Sequence, residues 1–329
     1  MNPDVIIIGA GLAGWSANRE LEKHGLRTEV VEKSRGLGGR MATRRLNDGR
    51  ADHGAQFFTA RSQSMKETVK EWEAAGYIRN WSNGFIQLEN LEQKQHFQGD
   101  GHPRYVGRAG MAPLMKNLWK GKTIEKETKI TSIVPGEEGW LLRTDTKQME
   151  ALAVLLTSPV PQSLDMLQNV PGERRWEKDL SSVRYDPCLS VMVEYDGESP
   201  LEAPGGIQTR DSRIQFIGCN HQKGISASCV ITIHAEGEWS REHWDDSDEA
   251  FAEELCRIAG PLLDRKKITE LHPKRWRYAK AVHMYPDRSR SYDSPYPLAF
   301  AGDAFGEGKV EGAVLSGKDA AGKIISLLQ

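Results

Sequence analysis

The chain opens on a run without a single polar position, Val5-Ile6-Ile7-Ile8, preceded by Asp4. An uninterrupted β-branched run of this kind suits a strand buried on both faces, because neither side of it meets water. The period then changes. After Gly9-Ala10-Gly11-Leu12-Ala13-Gly14, apolar residues recur at helical spacing to His24, and Gly25 stands where a helix-ending residue belongs. A second strand, Arg27 to Val31, ends at Glu32. Two more buried runs follow much later, Val154 to Ser158 and Leu298 to Asp303; the second leads through a glycine-rich turn into a helix that opens at Val310 and runs toward Leu328. A short strand is expected over Lys129–Ile133. Alternation of apolar and polar positions predicts strands near Cys188–Glu194, Ile214–Gly218 and Cys229–His234. The acidic stretch Trp244 to Glu249 reads as the start of a helix capped by Ser247 or Asp248.

At 329 residues the chain is long enough for two packed lobes, and its 38% apolar content supplies a core for each. A net charge of −2 gives no broad attraction to nucleic acid or to a membrane surface. The four cysteines, Cys188, Cys219, Cys229 and Cys256, form no C-x-x-C pair and no metal-ligand spacing, so they read as structural thiols of a reducing compartment. The first strand begins too early to leave room for a secretory signal, and no apolar run is long enough to span a bilayer. A cytoplasmic protein with no metal is expected.

The N-terminal pattern carries chemistry. In Gly9-x-Gly11-x-x-Gly14, the first glycine permits a tight turn, the second lets a pyrophosphate approach the backbone, and the third lets helix pack closely on strand. The helix N-terminus, at Leu12 and Ala13, offers unpaired N–H groups and a partial positive charge to an anion. Glu32 lies 21 residues beyond Gly11, placed to accept hydrogen bonds from ribose hydroxyls, with Lys33 beside it. Strand, glycines, helix, strand and acid in this order predict a Rossmann-like dinucleotide lobe. The fold class is therefore α/β: a nucleotide-binding lobe discontinuous in sequence (1–75, 105–165 and 270–329) and a substrate lobe with a mixed or antiparallel sheet (76–104 and 166–269).

Gly38-Gly39-Arg40-Met41, following soon after the acid, resembles the flavin amine-oxidase superfamily, whose members carry Gly-Gly-Arg here. One departure is Ser34, with Arg35 next, where many members have an arginine two residues after the acid. The resemblance implies non-covalent FAD. Gly302 and Asp303 would serve the ribityl–pyrophosphate region, the helix start at Glu311, Gly312 and Ala313 would face the N1–C2=O edge of the flavin, Ile130 would lie against the adenine, and the strand ending at Thr157 would return toward the cofactor. No second glycine fingerprint is present, which excludes a dedicated NAD(P)H-binding domain.

Ala51-Asp52-His53-Gly54-Ala55-Gln56-Phe57-Phe58-Thr59 corresponds to the loop that the superfamily places beside the flavin. With Gly-Gly-Arg-Met, Arg184-Tyr185, Ile214 to Asn220, Val230 to His234 and Lys274-Arg275-Trp276-Arg277, it resembles the renalase-like family. That resemblance implies an FAD oxidase taking hydride from isomeric (2- or 6-) dihydro-NAD(P), releasing NAD(P)+ and passing the electrons to O2 to give peroxide. His53 reads as a hydrogen-bonded structural residue more than an acid or base. Gln56 and Phe57 are candidates for contacts near the ring, and Trp276 for the flavin pocket wall. Tyr185, Asn220, His234 and Tyr278 complete the pocket candidates. The cluster Lys274, Arg275 and Arg277 reads as a solvated face or as an attractor of dinucleotide phosphate. Many amine oxidases of the superfamily carry a lysine on the strand corresponding to Pro187–Tyr195, and from Asp179 through Gln222 this chain has none. Another flavin-dependent amine oxidase or desaturase, and a flavin-binding redox sensor without turnover, stand as alternatives.

Overall fold

The computed structural model describes residues 2–329. The chain packs as two units: Met1–Gly39, Met115–Arg184 and Ala281–Gln329 form the first, and Arg40–Leu114 and Tyr185–Lys280 the second. Residues 40–75, 105–114 and 270–280 thus group with the second unit, and 166–184 with the first, where the sequence division has them the other way round. That division followed motifs by their chemistry, whereas packing follows what each segment is buried against.

In the first unit, six strands run in the order Arg290–Tyr292, Leu298–Phe300, Ala153–Leu156, Val5–Ile8, Thr28–Val31 and Ile124–Glu125. All neighbours are parallel except the outermost pair, Arg290–Tyr292 with Leu298–Phe300. Val5–Ile8 sits in register with Ala153–Leu156 on one side and Thr28–Val31 on the other, and every residue of the first two strands is buried. Parallel strands need a crossover, which the helix Leu12–Lys23 provides between Val5–Ile8 and Thr28–Val31. The chain leaves Val5–Ile8 toward one side of the sheet and later fills the other, so the carboxyl end of this strand is a topological switch point, where α/β sheets take their ligands.

The expected Lys129–Ile133 strand is displaced. The observed strand is Ser132–Pro135, which joins Trp140–Arg143 and Gln148–Ala151 in a separate antiparallel sheet, with Ile133 opposite Leu142. Thr128 and Lys129 precede it because the Thr128 amide is used on the Glu32 carbonyl, 3.0 Å away.

The second unit is built on six strands in the order Ile268–His283, Arg184–Tyr195, Val230–Ala235, Ile214–Cys219, Gly206–Thr209 and Ile86–Leu88. The pleat divides its residues between two jobs. Leu189, Val191, Val193, Ile231 and Ile233 face a core completed by Phe251, Ala252 and Leu255 of the helix Asp248–Ile258. Met192 and Val230 face the other way, against Ala51. Each aliphatic side chain fully buried here contributes about 1.5–3 kcal/mol. Ser247 caps that helix, its hydroxyl accepting from the Ala250 amide at 3.1 Å.

The C-terminal helix, Lys309–Leu328, packs on Leu12–Lys23 in the first unit with backbone almost touching backbone. A Cβ on Gly317 would lie 2.1 Å from the Ala13 carbonyl oxygen, whereas one on Gly322 would meet nothing within 4 Å. Gly317→Ala is expected to lower the midpoint of urea unfolding by the equivalent of about 1–3 kcal/mol. Gly322→Ala in the same helix should raise it by up to about 1 kcal/mol. Equal effects from the two variants would show that the close crossing does not limit stability.

Candidate cofactor and substrate site

The parallel strands of the first unit end together, so the residues that follow them line one edge. In spatial order these are Gly302, Thr157, Gly9 and Glu32, each one or two positions beyond its strand. The glycines divide by environment. Gly9 has φ +109°, and a Cβ there would meet the Thr157 hydroxyl at 2.5 Å. A Cβ on Gly14 would lie 2.0 Å from the Gly9 carbonyl oxygen. Those two are needed for packing. Around Gly11 the nearest atom is the Gly38 carbonyl oxygen, 4.0 Å away, and around Gly39 (φ +56°) nothing lies within 4 Å. These two leave open approaches to the backbone.

Both helices that start at this edge do so without a side-chain cap: Leu12–Lys23 after Gly11, and Lys309–Leu328 after Gly308. Their first amides are therefore available to an anion. Glu32 is buried to 7% exposure; one carboxylate oxygen accepts from the Ala10 amide at 3.0 Å and the other from the Ser34 amide at 2.8 Å. Each oxygen keeps a second lone pair for a hydroxyl donor. Thr157 ties the loop down by donating to the Ile8 carbonyl at 2.8 Å. The Gly302 amide donates to Ser316 Oγ at 2.8 Å, and Asp303 follows, partly buried, ahead of the helix start carrying Glu311, Gly312 and Ala313. Ile130 is buried two residues beyond Thr128, beside the Glu32 corner. Lys33 is exposed and donates to Gln162 Oε1 at 2.9 Å.

In the second unit, the segment Asp52 to Phe57 is held from several sides. Met41 is buried, Arg40 donates to the Ala279 carbonyl at 3.2 Å, and a Cβ on Gly54 would lie 2.0 Å from the Arg40 carbonyl oxygen, to which the Ala55 amide donates at 2.9 Å. The Asp52 carbonyl accepts from Thr232 Oγ1 at 2.9 Å and Gln56 Nε2 at 2.6 Å. The His53 carbonyl accepts from Trp276 Nε1 at 2.8 Å and His234 Nε2 at 3.2 Å. His234 therefore carries its proton on Nε2. The Asp52 carboxylate accepts at Oδ1 from Thr43 Oγ1 (2.5 Å) and the Met111 amide (2.9 Å), while Oδ2 lies 2.9 Å from Lys223 Nζ. Lys223 also donates to Gln56 Oε1 at 3.2 Å.

Burial pushes the His53 imidazole down to about 4, with Lys274 and Arg44 adding repulsion. His234 is likewise lowered to about 4, chiefly by burial, against the opposing hydrogen bond to the His53 carbonyl. Both rings are neutral at pH 7. Burial also lowers the ammonium pKa of Lys223, and the Asp52 carboxylate works against it.

Around this loop the aromatic residues cluster. His53 stacks on Trp276, centroids 5.4 Å apart and planes 20° apart. Phe57 meets Phe85 edge-on at 4.8 Å and Phe216 at 5.9 Å. Tyr185 and Tyr278 meet edge-on at 5.6 Å on neighbouring strands.

Asn220, expected in the pocket, is instead fully enclosed. It accepts from the Asp52 amide at 3.1 Å and donates to Thr232 Oγ1 at 2.9 Å and the Val230 carbonyl at 3.2 Å, so it braces the loop from behind. The basic run is also committed: Arg275 pairs with Asp248 at 2.9 Å and covers Phe251, Arg277 covers Trp244, and Lys274 lies 5.2 Å from the Trp276 ring centroid. Near them, Glu194, Glu270 and His272 come together, and the Asn47 amide donates to both carboxylates while His272 Nε2 lies 2.7 Å from Glu194. These hydrogen bonds account for that cluster. Sequence reading missed Asp52, Lys223 and Thr232 as a connected set. The available signal was a lysine following a polar turn, Asn220-His221-Gln222, directly after a buried strand.

The edge of the first unit fits an extended dinucleotide: two open glycine backbones, two uncapped helix starts and one buried carboxylate with spare acceptor capacity. Residues 7–72 match the family model of the NAD(P)-binding Rossmann-like domain, and residues 73–325 that of flavin containing amine oxidoreductase. Among curated proteins, a 4,4'-diapolycopene oxygenase of Methylomonas sp is 27% identical over 216 residues, covering 62% of this chain and 40% of that protein. Protein anon-37Cs of Drosophila lebanonensis is 24% identical over 156 residues, covering 42% of this chain and 29% of that protein. The matches thus span less than half the length of these relatives. Among solved structures, a putrescine oxidase bound to putrescine superposes with a TM-score of 0.75 at 15% identity over 99% of each chain. Cyclohexylamine oxidase from Brevibacterium oxydans IH-35A gives 0.74 at 14% identity over 100% of each chain. These establish a shared fold. With its family model spanning most of the sequence, the chain belongs to the flavin containing amine oxidoreductases, and its cofactor is non-covalently bound FAD.

Proposed function

We propose that this protein is a renalase-like oxidase, taking hydride from the 2- or 6-dihydro isomers of NAD(P) to give NAD(P)+, with O2 as electron acceptor and H2O2 as product. FAD supplies the hydride acceptor and the route to oxygen. Gly11, the amides of Leu12, Ala13 and Gly14, and Gly39 with Arg40 and Met41 would take the pyrophosphate region. Glu32 would take the ribose hydroxyls, with Lys33 beside it, and Ile130 the adenine. Thr157, Gly302, Asp303, Glu311, Gly312 and Ala313 would complete the cofactor site. His53, Gly54, Ala55, Gln56, Phe57 and Trp276 would face the ring, with Tyr185, His234 and Tyr278 about the substrate.

The observation that carries this reading is the state of the polar groups at the loop. Two imidazoles are held neutral at about 4, and Lys223 is engaged by Asp52 and Gln56. Neither imidazole is a base poised near pH 7. Hydride transfer from an electron-rich dihydropyridine needs alignment and water exclusion, not an assisting base. A second reading, an oxidase or desaturase acting on an amine or a polyene, draws on the fold shared with putrescine oxidase and on the sequence likeness to diapolycopene oxygenase. No described helix is long and apolar enough to cross a membrane.

Anaerobic mixing with borohydride-reduced NAD, pure NADH and a panel of amines separates the two readings. Bleaching of the flavin by the isomer mixture alone, reversed by air with peroxide release, is expected; bleaching by an amine would replace the first reading with the second. Gly11→Trp should give protein that purifies without yellow colour, and full FAD content in that variant would remove Gly11 from the site.

The neutral imidazoles also carry a pH dependence. Their folded pKa values lie below the unfolded value, so the folded state binds fewer protons between about 6.5 and 4. Stability is complete above pH 6.5 and falls as the pH drops toward 4, by roughly 1–3 kcal/mol for each ring. His234→Gln should flatten the urea midpoint between pH 7 and 5 relative to wild type. An unchanged slope would mean that the ring titrates in the fold as it does in the unfolded chain.

A further inference from the structure

Lys223 is only 1% exposed, and an ammonium group is costly to bury even when paired. It sits on the turn after the strand Ile214–Cys219, outside the strand Arg184–Tyr195. The turn is closed by the Gly224 amide on the His221 carbonyl at 2.7 Å and by the Arg79 guanidinium on the Lys223 carbonyl. Three groups surround the ammonium: Asp52 Oδ2 at 2.9 Å, Gln56 Oε1 at 3.2 Å and the Trp81 ring, whose centroid is 5.1 Å away.

Asp52 does not depend on Lys223 for all its partners, since its other oxygen already has the Thr43 hydroxyl and the Met111 amide. Lys223 is the partner of Asp52 Oδ2, and the same ammonium also supplies a donor to Gln56 Oε1. This second contact fixes which way the amide points: Oε1 toward Lys223, Nε2 toward the Asp52 and Gly54 carbonyls at 2.6 and 3.3 Å. The Arg79 guanidinium on the Lys223 carbonyl sets a second, half-buried cationic group beside the Lys223–Asp52 pair. Cationic groups so placed favour a neighbouring group that becomes negative.

We propose that Lys223 is a positioning residue of the reaction centre, which through Gln56 presents the Asp52–Phe57 loop to the bound FAD and biases the cofactor toward its reduced state. This rests on the reading that the Gln56 loop faces the flavin.

The test uses FAD-loaded wild type, Lys223→Met and Gln56→Met. Flavin content and midpoint potential are read by anaerobic dye equilibration, which needs no substrate. Both variants should retain FAD and shift the oxidised-to-reduced ratio at least tenfold toward oxidised, about 30 mV for a two-electron couple. The double variant should shift by less than the sum of the singles. With dihydronicotinamide as reductant, the limiting reduction rate should fall at least tenfold while the half-saturating concentration moves less than threefold. Lys223→Met with full FAD and a wild-type potential overturns the proposal. Should Lys223→Met fail to fold, Lys223→Gln, which removes the charge and keeps an amide donor at this point, is read by the same potential, and a wild-type value with full FAD overturns the proposal. A shifted potential without reduction by any dihydronicotinamide supports the role of Lys223 and counts against the substrate assignment alone.

Discussion

Everything at the nucleotide edge depends on backbone reaching van der Waals contact with backbone. Gly14 stands where its Cβ would strike the Gly9 carbonyl, and Gly317 where its Cβ would strike Ala13. The first contact seats the helix Leu12–Lys23 on its strand; the second seats the C-terminal helix on that helix. Ser16 Oγ reinforces the crossing by donating to the Val314 carbonyl at 2.7 Å. One methyl group at either position would push one helix away from its neighbour, and with it the uncapped amides at this edge. The geometry of this edge therefore depends on the absence of side chains at two points.

The second unit solves a different problem, holding a loop of irregular backbone in a buried place. Its carbonyls cannot be left unpaired away from water. Thr232, Trp276, His234 and Gln56 each supply a donor to the Asp52 or His53 carbonyl. Three of those four are borrowed from the sheet. The side chains on alternate positions of Val230–Ala235 build the core on one side and brace the loop on the other.

The first unit was largely legible in the sequence because its rules are local. Glycine spacing, an apolar run and one acid define the turn, and the strands Val5–Ile8, Thr28–Val31 and Leu298–Phe300 fall within a few residues of expectation. The strand expected over 129–133 was misplaced because the tertiary demand of the Glu32 corner draws in Thr128, which periodicity does not record. The loop was recognised as a motif, yet its supports were not. Lys223 lies 171 residues from Asp52 in sequence, and its own neighbours are polar, as on any surface turn. Burial of a charge at such a position is a property of the assembled sheet. Asn220 illustrates the same limit from the other direction: a polar residue at a strand end looks like a ligand contact until its amide is seen to be fully used inside.

The interleaving of the two units also bears on synthesis. By residue 280 every segment of the second unit has emerged, whereas the first still lacks the strand Leu298–Phe300 and the helix Lys309–Leu328. Domains tend to fold as they leave the ribosome. The loop-bearing unit can thus be complete while the nucleotide edge is still missing Gly302, Asp303 and one of its two helix starts. Completion of this edge is then a late event in the life of the chain, and translation arrested between these points would leave the first unit without its strand Leu298–Phe300 and its C-terminal helix.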